Sequence, residues 1–147
     1  MSKVCSLARH ETPSSPPSSV LPGHAAAAQR RDAVVRCVSA AFGLSMRALT
    51  TARRARPHAV FARQVSMYLL HVVFSLNPQV IGRLFGKDRS TVAHACQRVE
   101  DRRDDAAFDA FLHDLELAVS ALDSAIQMRT KQELFVSRNT FAMGEAS

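Results

Sequence analysis

The sequence predicts an all-α fold: a compact helical domain with a helix-turn-helix, followed by a long amphipathic C-terminal helix. Three observations carry this. The 147 residues include no Trp, one Tyr and five Gly, with few of the β-branched and aromatic runs that favour strands. Apolar residues recur at steps of three and four, the period of one helix face. Glycines stand just past apolar segments, at Gly43 and Gly86, where a helix can stop in the left-handed conformation.

Residues 1–24, which contain ETPSSPPSSVLPGH, hold too little apolar matter to bury and are expected to be a disordered tail. Residues 25–103 are expected to form the domain. AAAAQRRDAVVRCVSAAFG reads as a helix with Val34, Val35, Val38, Ala41 and Phe42 on one stripe and Gly43 as its stop. Ser45 can cap a short helix over Met46 to Thr50. TARRARPHAVFAR follows as a basic connection in which Pro57 argues against continuous helix.

Arg63 to Leu76 is apolar nearly all round, as a central helix with neighbours on most sides should be. Asn77-Pro78 marks a helix start, with Asn as cap and Pro in the first turn. Val80, Ile81, Leu84 and Phe85 form the inner face of the short helix it opens. Gly86 ends it, Asp88 can cap the next, and two helices joined by so short a turn make a helix-turn-helix. Residues 104–128 carry Phe108, Phe111, Leu112, Leu115, Val119, Leu122 and Ile126 at helical spacing. That stripe either completes the domain core or pairs with a second copy as a homodimer. Residues 129–147 are mixed in character and are expected to be a loose tail.

Charge is unevenly spread. Between Arg30 and Arg103 there are fourteen Lys and Arg against four acids; between Asp104 and Gln127 there are six acids and neither Lys nor Arg. The basic part is the candidate surface for a polyanion, and the acidic helix should point away from it. Three cysteines without paired spacing suggest neither a disulfide framework nor a zinc site. The apolar run from Gln64 to Leu76 is far shorter than a membrane span. No signal-type apolar segment opens the chain, so a cytoplasmic, nucleoid-associated location is expected. No GxxxxGK[ST] motif suggests nucleotide binding or ATPase activity, no cofactor is implied, and no nucleophile stands with a base, so an enzyme is not expected.

GRLFGKDRSTVAHACQRVEDRR (82–103) is the most informative stretch. On a helical wheel Val92, Ala95, Cys96 and Val99 face inward, while Ser90, Thr91, His94, Gln97 and Arg98 face out, with Lys87 and Arg89 at the entry. Small hydroxyls at the start of such a helix let it approach a major groove closely. There Ser and Thr reach phosphates or base edges and Arg can fork onto guanine.

ARQVSMYL (62–69), IGRLFG (81–86), KDRSTVAHAC (87–96) and VSAAFGLSMRAL (38–49) together resemble the C-terminal DNA-binding domain of the bacterial replication initiator DnaA, over about residues 33–100. The resemblance implies sequence-specific binding of double-stranded DNA. Lys87, Asp88, Arg89, Ser90, Thr91 and His94 match the segment that reads the major groove. Arg63 and Gln64 match the start of a helix contacting the DNA backbone, joined there by Arg98. Arg53, Arg54 and Arg56 match the basic loop that enters the minor groove. Three departures leave room for a site other than the DnaA box: one turn glycine is missing, Lys87 replaces Arg, and Arg89 replaces His. The expected role is that of a transcriptional or replication regulator. The alternative is a protein-interaction module that kept the fold and lost specific DNA binding.

Overall fold

The structure, a computed structural model, describes residues 22–51 and 56–143, and these contain six helices and no strand. In chain order they are α1 (Pro22–Phe42), α2 (Met46–Thr50), α3 (Pro57–Val72), α4 (Pro78–Phe85), α5 (Arg89–Arg102) and α6 (Ala106–Met143). The expected N-terminal tail lies outside the described residues up to residue 21, and its last three residues belong to α1.

α3 is the central element. Val65, Met67, Tyr68, Leu69 and Leu70 are all buried, because α1, α2, α4 and α5 each pack on it. Val34, Val35 and Val38 of α1, Leu49 of α2, Ile81 of α4, and Val92 and Val99 of α5 close the same core. A second layer gathers Phe42, Phe61, Phe108 and Phe111, with ring centroids 5.5–6.3 Å apart along the chain of contacts, where α1 ends and α6 begins. Edge and tilted aromatic pairs of this kind add to the area they bury.

Local signals set the element ends. Ser45 Oγ accepts from the Ala48 amide at 3.3 Å, and Asn77 Oδ1 accepts from the Gln79 amide at 2.8 Å, each satisfying a donor the helix leaves unmade. Gly43 and Gly86 are both left-handed, at φ 64° and 62°. Asp105 caps α6 by accepting from the amides of Ala107 and Phe108.

Several element boundaries differ from the sequence reading, among them the end of α3, at Val72 rather than Leu76. α3 begins at Pro57 rather than near Arg63, because proline in the first helical turn lacks only an amide that would be unpaired anyway. α6 continues through residues 129–143, where a loose tail was expected. No Gly or Pro interrupts that stretch, and the Arg129–Glu133 pair at 3.2 Å and Gln127–Asp123 bond at 2.7 Å stitch successive turns. Its first half folds back on the domain: Leu112, Leu115 and Val119 are buried, and Arg30 of α1 pairs with Asp123 at 3.3 Å.

Candidate nucleic-acid interface

The turn between α4 and α5 is closed by backbone. Lys87 N donates to the Gly82 carbonyl at 2.8 Å and Gly86 N to the Arg83 carbonyl at 3.4 Å, the paired bonds of a Schellman ending around left-handed Gly86. A single glycine, Gly86, therefore closes this turn. Gly82 is needed for a different reason: a Cβ there would collide with the Lys87 carbonyl oxygen. Asp88 holds the cap position of α5 in extended conformation, but its side chain makes no capping bond.

α5 presents two faces, as the wheel predicts. Val92, Ala95, Cys96 and Val99 are buried. Asp88, Arg89, Ser90, Thr91, His94, Gln97 and Arg98 are exposed, and Lys87 is half-buried at the entry. Thr91, His94 and Arg98 succeed one another at steps of three and four, so they share one stripe of the surface. Within the described residues Ser90, Thr91, His94 and Arg98 make no side-chain hydrogen bond or ion pair, whereas Gln97 Nε2 donates to Asp101 at 2.7 Å. A helix that leaves its outward hydroxyls, imidazole and guanidinium uncommitted can offer them to phosphates and base edges.

The remaining expected contacts fall elsewhere. Arg56 is exposed at the cap position of α3, and Gln64 is half-buried on the same helix; Arg53 and Arg54 lie outside the described residues. Arg63 departs from the expectation of a phosphate contact. It is 8% exposed, and its guanidinium turns inward: Nε donates to the Leu49 carbonyl and Nη2 to the Thr51 carbonyl, both at 2.7 Å, with Ala48 O at 3.4 Å. It thus serves carbonyls at the end of α2, just where the basic segment departs, and burial lowers its pKa from the ordinary arginine value.

The basic count between residues 30 and 103 also overstates the free charge. Besides Arg63, Arg30 pairs with Asp123 and Arg31 with Asp32 while donating to the Leu84 carbonyl. Arg102 lies over the Phe61 ring at 4.9 Å and Arg103 joins an internal carboxylate network. Among the twelve of the fourteen that lie in the described residues, five are engaged by partners within the chain. Arg47 and Arg83, which the sequence reading left out, are exposed in the last turns of α2 and α4 and add positive charge to elements beside α5 and α3. Their signal was available as basic residues at helix ends.

Residues 31–99 match the family model of the bacterial DnaA protein helix-turn-helix. The chromosomal replication initiator protein DnaA of Lachnoclostridium phytofermentans is 35% identical over 79 residues, covering 52% of this chain and 17% of the relative. That of Bifidobacterium animalis is 43% identical over 49 residues, 32% of this chain and 8% of the relative. The chain therefore spans a small fraction of the length of the relatives it matches. A crystal structure of a DNA replication initiation factor superposes with a TM-score of 0.61 at 24% identity, over 67% of this chain and 30% of that one, which shows a shared fold.

Proposed function

We propose that this chain, whose residues 31–99 match the bacterial DnaA protein helix-turn-helix, binds double-stranded DNA sequence-specifically, with α5 in the major groove. The observation that carries the reading is the outward face of α5: Ser90, Thr91, His94 and Arg98 exposed and uncommitted, on a helix whose opposite face is locked into the core. In this reading Lys87, Asp88, Arg89, Ser90, Thr91 and His94 meet base edges and neighbouring phosphates. Arg98, Gln64 and Arg56 contact the backbone or minor groove, with Arg53 and Arg54 on the adjoining segment. Arg63 holds the end of α2 from inside.

The proposed role is that of a regulator at DnaA-type sites on the nucleoid, of transcription or of replication, acting without nucleotide hydrolysis. Self-association through α6 belongs to the same proposal, since two linked domains could occupy two half-sites. A fluorescence-anisotropy titration at two salt concentrations tests the reading with a DnaA-box duplex, a scrambled duplex and a selected random pool. Preference for the box, or for one selected sequence, supports it. Equal, steeply salt-dependent binding to every duplex overturns it and favours an interaction module instead.

A further inference from the structure

Helix α6 is 38 residues long, yet the domain covers only its first half. Leu112, Leu115 and Val119 are buried beneath it, and among the residues of described burial half-buried Ile126 is the last on that side to be covered. The opposite side carries a second stripe. Leu117, Ala121, Ser124, Met128 and Phe135 follow at steps of four, three, four and seven, and all are exposed, with Leu117 at 57%, Met128 at 71% and Phe135 at 67%. Residues at this mean spacing form the seam of a two-helix coiled coil. The same seam continues to Asp114 at one end and to Lys131 and Arg138 at the other.

Two properties of the seam select its occupant. It is oppositely charged at its ends, acidic at Asp114 and basic at Lys131 and Arg138. It also matches itself when reversed about the level of Ile126. Leu117 then falls opposite Phe135 of the second copy, Ser124 opposite Met128, Ala121 opposite the methylene stem of Lys131, and Asp114 opposite Arg138. A parallel pairing would instead set each charge against its own copy. The small residues Ala118, Ala121, Ser124 and Ala125 at the middle allow the two helices to lie close.

We propose that α6 pairs with α6 of a second copy of this chain, antiparallel, with the two-fold axis level with Ile126. This gives the geometry of the self-association in the proposed function and rests on that part of it; it does not depend on DNA being read. Each domain lies on the outer side of the pair, because Leu112 and Val119 face away from the seam.

Size exclusion with light scattering on the full chain, over a range of concentrations, tests it. Wild type is expected at twice the chain mass of 16.1 kDa and Phe135→Glu at the single mass, both with the same helical content by circular dichroism. Asp114→Arg is expected to weaken pairing by about tenfold, as like charges across an interface do, and Asp114→Arg with Arg138→Asp to restore it. A wild type that stays at the single mass, a Phe135→Glu that still pairs, or a double exchange that fails to restore pairing would overturn the proposal. Titrating the same proteins with a single-box duplex separates the two readings: DNA preference in monomeric Phe135→Glu survives the loss of pairing, and a paired wild type that binds no DNA leaves pairing standing alone.

Discussion

Arg103 Nη1 donates to the Tyr68 hydroxyl at 2.6 Å, joining the C-terminal part of α3 to the residue that ends α5. The same guanidinium reaches Asp109 at 2.6 Å and Glu116 at 3.3 Å, so α6 is tied into the contact. Burial raises the Tyr68 pKa well above the ordinary tyrosine value, while the Arg103 bond pulls the other way. Tyr68 is the chain's one tyrosine and there is no tryptophan, so its ionisation can be followed alone. A raised folded pKa contributes stability that is present below the unfolded value of about 10 and is lost as pH rises beyond it. Absorbance at 295 nm should therefore stay flat through pH ~10 in the folded protein and rise only with loss of helical signal. Tyrosinate forming near pH 10 with the helices intact would contradict the buried contact.

Thr91→Ala should fold normally, because Thr91 is exposed and alanine favours helix. On the preferred duplex it should cost roughly 1–3 kcal/mol and leave scrambled DNA little affected. Arg98→Ala should weaken all duplexes alike and flatten the salt dependence. Paired anisotropy titrations read both, and equal losses on both duplexes for Thr91→Ala would remove it from the recognition face.

Arg63→Met should lose stability by roughly 1.5–3 kcal/mol, the scale of hydrogen bonds to a charged donor, since the carbonyls of Leu49 and Thr51 lose theirs. Lys at the same place offers one point donor and cannot span both carbonyls, so it should rescue only part. Urea denaturation measures the loss. If Arg63→Met left stability unchanged while weakening DNA binding, the residue would be a phosphate contact after all.

Gly82→Ala should destabilise by about 1–3 kcal/mol despite alanine's better helix propensity, because the added methyl meets backbone that cannot rotate away. Specific binding should fall further than stability accounts for, since the relief is a shift of Lys87 and the start of α5. Thermal melts and anisotropy on the same samples separate the two effects. A stabilised variant with unchanged preference would show that the turn is looser than the collision implies.

What could be read from the sequence was mostly local. Ser45, Asn77, Gly43 and Gly86 act within a few residues of where they stand, so composition and spacing sufficed to place them. The two faces of α5 followed from helical period alone. Arg63, Arg102 and Arg103 were misleading because their partners are distant: carbonyls twelve to fourteen residues back, an aromatic ring on α3, and carboxylates on α6. Pro57 looked like an interruption and proved to be a beginning, a distinction that depends on which amides the fold needs. Residues 129–143 carry no stripe that continues the one buried by the domain and so looked loose, yet helix persists there without the domain core beneath it.

Gly82 and the outward face of α5 are two different kinds of position. The direction in which α5 leaves its turn depends on a position that has no side chain and faces the Lys87 backbone. Positions 90, 91, 94 and 98 support nothing inside the protein and can be exchanged as a set without disturbing the scaffold. Target preference can thus diverge between relatives while the geometry of presentation stays fixed. For anyone redesigning the target, the same division marks which letters to vary and which to leave alone.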